Sequence, residues 1–149
     1  MLYSKSAEYA IQTMIYIAEK MTDIPIITDE IADKFQIPNH FLKKIVQVLT
    51  KHNLLKTYRG RHGGVTLARP SRDIKIIDIV EVIDGPVSSS DMCVIGLDVC
   101  SDEAICPFHN NWMTIQDSIK SLLENENLEH LSEQVIEKRR LLSHGLFDN

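Results

Sequence analysis

The chain has 149 residues, 44% of them hydrophobic and 25% charged, with a net charge of −5 and three cysteines. That length and apolar share support one packed domain, or one with an appended arm, and argue against a disordered chain. No run of about 18 apolar residues or signal-peptide pattern is present, so the expectation is a cytoplasmic chain with no membrane partner, where thiols stay reduced and an odd cysteine count builds no disulfide framework.

Residues 4–21 place Ala7, Ala10, Ile11, Met14, Ile15, Ala18 and Met21 on one stripe, as an amphipathic helix does. "DIPII" interrupts it. Thr28 then offers an N-cap, with Asp29 and Glu30 in the first turn, for a short helix to about Phe35. "QIP" breaks that helix, Pro38 suits the start of a third running to about His52, and Asn53 suits its C-cap. Two helices joined by so short a turn predict a helix-turn-helix. In the third helix Phe41, Leu42, Ile45, Val46 and Leu49 form the apolar stripe. Asn39, His40, Lys43, Lys44, Gln47 and Lys51 are left outside, where long hydrogen-bonding side chains suit a major groove.

Leu54–Tyr58 and Val65–Ala68 read as short strands around the glycine-rich tip "RGRHGG", a hairpin placed as a wing. Arg59, Arg61 and His62 at its tip are expected to enter a minor groove or grip phosphates. From Lys34 to Arg72 the chain holds nine Lys or Arg and no Asp or Glu, which leaves a net −14 on the remainder. Helix, wing and charge agree on double-stranded DNA as the partner.

"DIKIIDIVEVID" supplies a further short helix, and Gly85, Pro86 and the serines that follow mark a loop. Pro107 begins a long helix in which Trp112, Ile115, Ile119, Leu122 and Leu123 recur at helical spacing. Pairing with a second copy is the expectation for these residues, packing on the first helix being compatible with it, and a two-fold dimer matches a palindromic operator. The fold expected is mainly α with a small β-hairpin wing. Residues 1–84 form a winged helix-turn-helix domain, 85–106 a cysteine loop, 107–126 a dimerisation helix and 127–149 a helical tail without legible chemistry.

All three cysteines lie in "CVIGLDVCSDEAICPFH", spaced Cys93-x6-Cys100-x5-Cys106-x2-His109. Zinc sites usually contain short Cys-x2–4-Cys knuckles, which are missing between these cysteines. Longer spacers let a loop wrap a bulkier object, and iron–sulfur clusters take soft thiolates with histidine able to replace cysteine. A closed Cys₃His zinc site and bare redox-sensing thiols stay open alternatives. No Ser/His/Asp arrangement, dinucleotide fingerprint or paired catalytic carboxylates point to an enzyme acting on a small-molecule substrate; a redox enzyme, electron carrier or cluster-binding scaffold is the reading from another class.

"SKSAEYAIQTMIYIAE", "GRHGGVTLARP" and "CVIGLDVCSDEAICPFHNNW", in that order, resemble the Rrf-type family of winged helix-turn-helix regulators, iron–sulfur regulators of the IscR and NsrR kind. The resemblance spans roughly residues 1–125 and implies a homodimeric transcription regulator whose DNA binding answers to iron–sulfur status, redox state or nitric oxide. It implies Cys93, Cys100 and Cys106 as cluster thiolates, His109 as the IscR-like fourth ligand, and Glu8 as the carboxylate of NsrR-like members. His109 is favoured over Glu8, and a [2Fe–2S] cluster over [4Fe–4S], since a neutral imidazole suits the former. The chain departs from the pattern in its six-residue first spacer, in Leu2 and in His62 at the wing.

Overall fold

The structure, a computed structural model, describes residues 2–87, 93–96, 101 and 103–143. In chain order it runs α1 (Lys5–Glu19), α2 (Thr28–Phe35), α3 (Asn39–Lys51), β1 (Leu55–Tyr58), β2 (Gly64–Leu67), α4 (Ile76–Asp84), α5 (His109–Asn125) and α6 (Leu128–Ser143), with a 3-10 turn at Ser71–Asp73. The mainly helical architecture with one antiparallel hairpin is the one expected.

Ser4 caps α1, its hydroxyl oxygen accepting from the Ala7 N–H at 3.1 Å. At its other end α1 stops sooner than the apolar spacing predicts. Lys20 is the C-cap, and Met21 takes a left-handed backbone with φ 45° and is 91% exposed, so it leaves the buried stripe. Thr28 is not the cap of α2 either; Ile27 holds that position and no side chain caps the helix. The cause is Ile26, which exchanges two 2.9 Å backbone hydrogen bonds with Val65 of β2 and keeps the chain extended up to Ile27.

α2 ends in left-handed Gln36, φ 55°, and buried Ile37 leads into Pro38, which is the N-cap of α3 and not part of its first turn. The C-cap of α3 is His52 and not Asn53 as expected; Asn53, left-handed with φ 57°, follows it by one residue. The strands pair Leu55 with Leu67 and Tyr58 with Gly64, one residue shorter at the outer ends than predicted. Gly64 sits at φ +149°, where a Cβ would fall 2.6 Å from the Ile26 carbonyl carbon; only glycine admits the Ile26 bridge.

Met14, Ile31, Leu42, Leu49, Leu54, Val65, Ile79 and Leu128 are among the fully buried side chains of one continuous core. α4 buries Ile76, Ile77, Ile79 and Val80 because α1, α3 and α5 all pack on it. α6, expected as an appended amphipathic tail, lies along α1. Its start is tied in by the Leu128 N–H donating to the Ile74 carbonyl at 2.8 Å and the Ile76 N–H to the Glu126 carbonyl at 3.0 Å. Burying Leu128 completely is worth about 1.5–3 kcal/mol.

Candidate nucleic-acid interface and cysteine segment

Asn39, His40, Lys43, Lys44, Gln47 and Lys51 are all exposed, while Leu42, Ile45, Val46 and Leu49 are buried and Phe41 is half-buried against the edge of Tyr9. At 3.6 residues per turn the six polar positions span an arc of roughly 140°. Lys44 lies at the border of that arc and lines a groove with Ser6, Phe41 and Val48. The helix carries no acidic residue in its first turn. Among the described residues, none of Lys43, Lys44, Lys51, Lys56, Arg59 and Arg61 has an ion-pair partner; within the basic stretch only Arg69 is paired, to Asp78 at 3.3 Å. Six uncompensated cations on one helix and its adjoining hairpin make an anion-binding face.

The hairpin is fixed against α3 by the two threonine hydroxyl oxygens of Thr50 and Thr57, 3.2 Å apart. Since the Thr50 hydroxyl donates to the Val46 carbonyl at 2.8 Å, the Thr57 hydroxyl is the donor between them. At the tip the Gly63 N–H donates to the Gly60 carbonyl at 3.0 Å, and a Cβ on Gly63 would fall 2.6 Å from the Tyr58 carbonyl oxygen. This tight turn holds Arg59, Arg61 and His62 in solvent. Lys56, Thr57 and Tyr58 also face outward from β1 and extend the same surface, a contribution missed in the sequence although Lys56 belongs to the acid-free run.

In the cysteine segment Cys93 is buried, at 6% exposure, and Cys106 and His109 are half-buried. Cys100 lies outside the described residues. α5 begins at His109 and not at Pro107, because Pro107 and Phe108 form a turn in which the His109 N–H donates to the Cys106 carbonyl at 3.0 Å. Cys106 and His109 therefore share one turn. Among the described residues no three His, Cys, Asp or Glu side chains converge as metal ligands. Cys106 with the His109 imidazole in the same turn, and Cys93 withdrawn from solvent elsewhere in the segment, are donors of the soft type that an iron–sulfur group takes. Glu8 is differently engaged: its Oε1 accepts from Lys5 Nζ at 2.6 Å and Gln12 Nε2 at 3.3 Å within α1.

The stripe expected to face a second copy is divided. Leu123 is buried within its own chain, Ile119 packs partly against the same core, and Trp112 is half-buried. These three are turned toward α4 by the packing of α5 on it. Ile115 and Leu122, seven residues apart, stay in solvent with 49% and 56% exposure.

Residues 3–134 match the profile of the Rrf2 family, described as an iron-dependent transcriptional regulator. Rv1287 of Mycobacterium tuberculosis, named among HTH-type transcriptional regulators, is 34% identical over 128 residues, covering 86% of this chain and 79% of its own. The structure of CymR, the global cysteine regulator of B. subtilis, superposes with a TM-score of 0.74 and 30% identity over 88% of this chain and 95% of that one. T. potens IscR superposes with a TM-score of 0.69 and 27% identity, over 88% and 86%.

Proposed function

The chain belongs to the Rrf2 family of winged helix-turn-helix transcriptional regulators, and we propose that it binds duplex DNA as a homodimer under the control of an iron–sulfur cluster. It is a regulator and not an enzyme, as its named relatives are. The observation that carries the DNA reading is the set of unpaired cations on α3 and the wing. Asn39, His40, Lys43, Gln47 and Lys51 would meet base edges and phosphates in the major groove, with Lys44 at the margin. Arg59, Arg61 and His62 would meet the flanking groove or backbone. Of the five α5 residues expected to face a second copy, Ile115 and Leu122 are the ones exposed and left to pair with it. Among the described residues no helix is long and apolar enough to cross a membrane, and we place the protein in the cytoplasm.

Cys93, Cys100, Cys106 and His109 would hold the cluster, [2Fe–2S] in preference to [4Fe–4S]. Such a group supplies one-electron redox chemistry and reactivity toward oxidants when bound. His109 is favoured as fourth ligand over Glu8, whose carboxylate already serves Lys5 and Gln12. The cysteine segment joins α4 to α5, and α4 packs on α3. Order imposed on its thiols therefore reaches the recognition helix through one intervening element. A coupling of about 1–3 kcal/mol between the two states is the usual scale for such switches.

A second reading, regulation by bare thiols, is favoured by the likeness to CymR. Against it, the chain holds no Lys or Arg between Lys75 and Lys120 but eight Asp or Glu there, so His109 is the one basic side chain of that segment that could support a thiolate. Metal ions would supply the missing positive charge, zinc included. Anaerobic purification with iron, sulfide and zinc analysis decides among the three. It is paired with DNA retardation by the wild type, Cys106→Ala and His109→Ala. Bound iron and sulfide, lost in Cys106→Ala together with a DNA affinity changed by about 5- to 150-fold, is the expected result. A protein with neither iron nor sulfide overturns the cluster reading and leaves the DNA interface standing.

A further inference from the structure

On the basis of the DNA reading above, we propose that Thr50 and Thr57 are positioning residues for duplex binding. Their hydroxyl pair sets the tilt of the wing against α3, and so where Arg59 and Arg61 stand relative to the side chains in the major groove.

The wing is held at one level along its length. Thr57 of β1 pairs with Val65 of β2, and Val65 in turn bridges Ile26. On the other side the Thr57 hydroxyl donates to Thr50 Oγ1 at 3.2 Å, and the Thr50 hydroxyl donates to the Val46 carbonyl at 2.8 Å. One transverse line of hydrogen bonds therefore runs from the α1–α2 connection through both strands into α3. Ile26 grips β2 by its backbone, which fixes that strand whatever its side chains are. β1 has no equivalent grip. Beyond Leu55 its residues Lys56, Thr57 and Tyr58 are all exposed, so packing does not set its angle. Among the described residues, Thr57 makes the only side-chain hydrogen bond between residues 55–64 and the rest of the chain.

A strand advances about 3.3 Å per residue, so Arg59 stands about 7 Å beyond this brace and Arg61 further out in the turn. A small tilt at Thr57 is enlarged at the guanidiniums. The opposite end of the brace sits at the reading face of α3, since Thr50 lies one turn after Gln47 and next to Lys51. Loss of the bond would displace the wing from the helix without removing a contact of either.

A thermodynamic cycle tests this. The anaerobically purified full chain selects a duplex from a randomised pool. Affinities for that duplex are then measured for Thr57→Val, Thr50→Val and Thr57→Ser, each alone and combined with Arg59→Ala or Lys43→Ala. Valine replaces the hydroxyl by a methyl group of similar shape, and the pair is exposed, so Tm should stay within about 2 °C. Arg59→Ala is expected to weaken binding of the wild type by about fivefold or more. In either valine variant its effect should be at least about threefold smaller, because the wing is already displaced. Lys43→Ala should have the same effect in every background to within about twofold. Thr57→Ser keeps the hydroxyl and should behave as the wild type does. The two valine variants test one bond from both ends, so one that fails to fold leaves the other. A merely structural role would lower affinity without altering the effect of Arg59→Ala. An undiminished effect of Arg59→Ala, an equal loss of effect at Lys43, or a serine variant that resembles the valine ones overturns the proposal and leaves the DNA interface standing. A wild type that selects no duplex overturns the DNA reading as well.

Discussion

Arg139 of α6 places its Nη1 2.6 Å from Glu19 Oε2 at the end of α1, joining residues 120 apart in sequence. The Glu19 side chain is 11% exposed, and its other oxygen, Oε1, is buried without a hydrogen-bond partner among the described residues. Removing the guanidinium would leave a mostly buried carboxylate with nothing to offset its desolvation. Arg139 is itself 42% exposed, so the penalty falls below that of a fully buried pair. Arg139→Met is expected to cost about 1–2 kcal/mol, a fall of about 2–8 °C in Tm. Adding Glu19→Gln should recover part of it, since the neutral amide is cheaper to bury. Thermal denaturation of the two single variants and the double variant measures this coupling.

Gly64→Ala is expected to release the Ile26 bridge, because the new methyl group has no room beside the Ile26 carbonyl. Strain at that backbone conformation and the loss of two backbone hydrogen bonds together cost about 1–3 kcal/mol. Hydrogen exchange at the Ile26 and Val65 amides should accelerate before the rest of the core does. Gly60→Ala is the control: it shares the positive φ but meets nothing within 4 Å, so it should cost only about 1 kcal/mol.

Lys43→Ala and Arg59→Ala remove exposed cations without described ion-pair partners, one on α3 and one on the wing. Neither is expected to shift Tm appreciably, as both side chains stand in solvent. Each should weaken operator binding and lower the slope of log affinity against log salt by about 1 for each phosphate that is no longer neutralised. In a dimer every substitution occurs twice, so the slope should fall by about 2. Gln47→Ala should instead relax preference at particular base pairs with little change in slope. Retardation assays across a range of salt concentrations separate these outcomes.

Local signals made much of this legible in the sequence. The alternation of Leu42, Ile45, Val46 and Leu49 with Lys43, Lys44 and Gln47 assigns each side chain of α3 to a face, because helical period and burial agree there. Asn53 marks the end of α3 because a left-handed residue favours asparagine or glycine. What stayed hidden depends on distant partners. Thr28 has the right chemistry for a cap, but pairing of Ile26 with Val65, 39 positions later, decides where α2 begins. The weak amphipathicity of the last 16-residue helix gave no hint that Leu128 reaches the main core. Gln116 has the character of a solvent-facing residue of α5, and only the packing of α4 on that helix covers it.

His130 provides a pH test. Its Nδ1 lies 2.7 Å from Glu126 Oε2, and that hydrogen bond, with the carboxylate's charge, raises the imidazole above its ordinary value of 6.5. A group raised on folding gives stability that is complete below about pH 6.5 and is lost as pH climbs through the folded value. Both side chains are exposed, so the effect on stability is slight. NMR titration should find His130 above 6.5, and Glu126→Gln should return it toward that value. Stability of His130→Gln relative to the wild type should improve as pH rises from about 6 to 8.

Leu122 and Leu123 are adjacent in sequence and point about 100° apart on α5, enough to part them between solvent and core. Leu123 is 5% exposed and belongs to the core, whereas Leu122 is 56% exposed. Leu123→Ala is therefore expected to lose about 2–5 kcal/mol by the removed transfer energy and the cavity left behind. Leu122→Glu removes no intrachain packing and places a charge on the face that also bears Ile115. It should leave monomer secondary structure unchanged while shifting the dimer toward monomer, with operator affinity falling because two recognition helices are no longer linked. Sedimentation equilibrium beside urea denaturation distinguishes the two. A Leu122→Glu protein that remains fully dimeric would move the interface off this face of α5, without disturbing the assignment of Leu123 to the core.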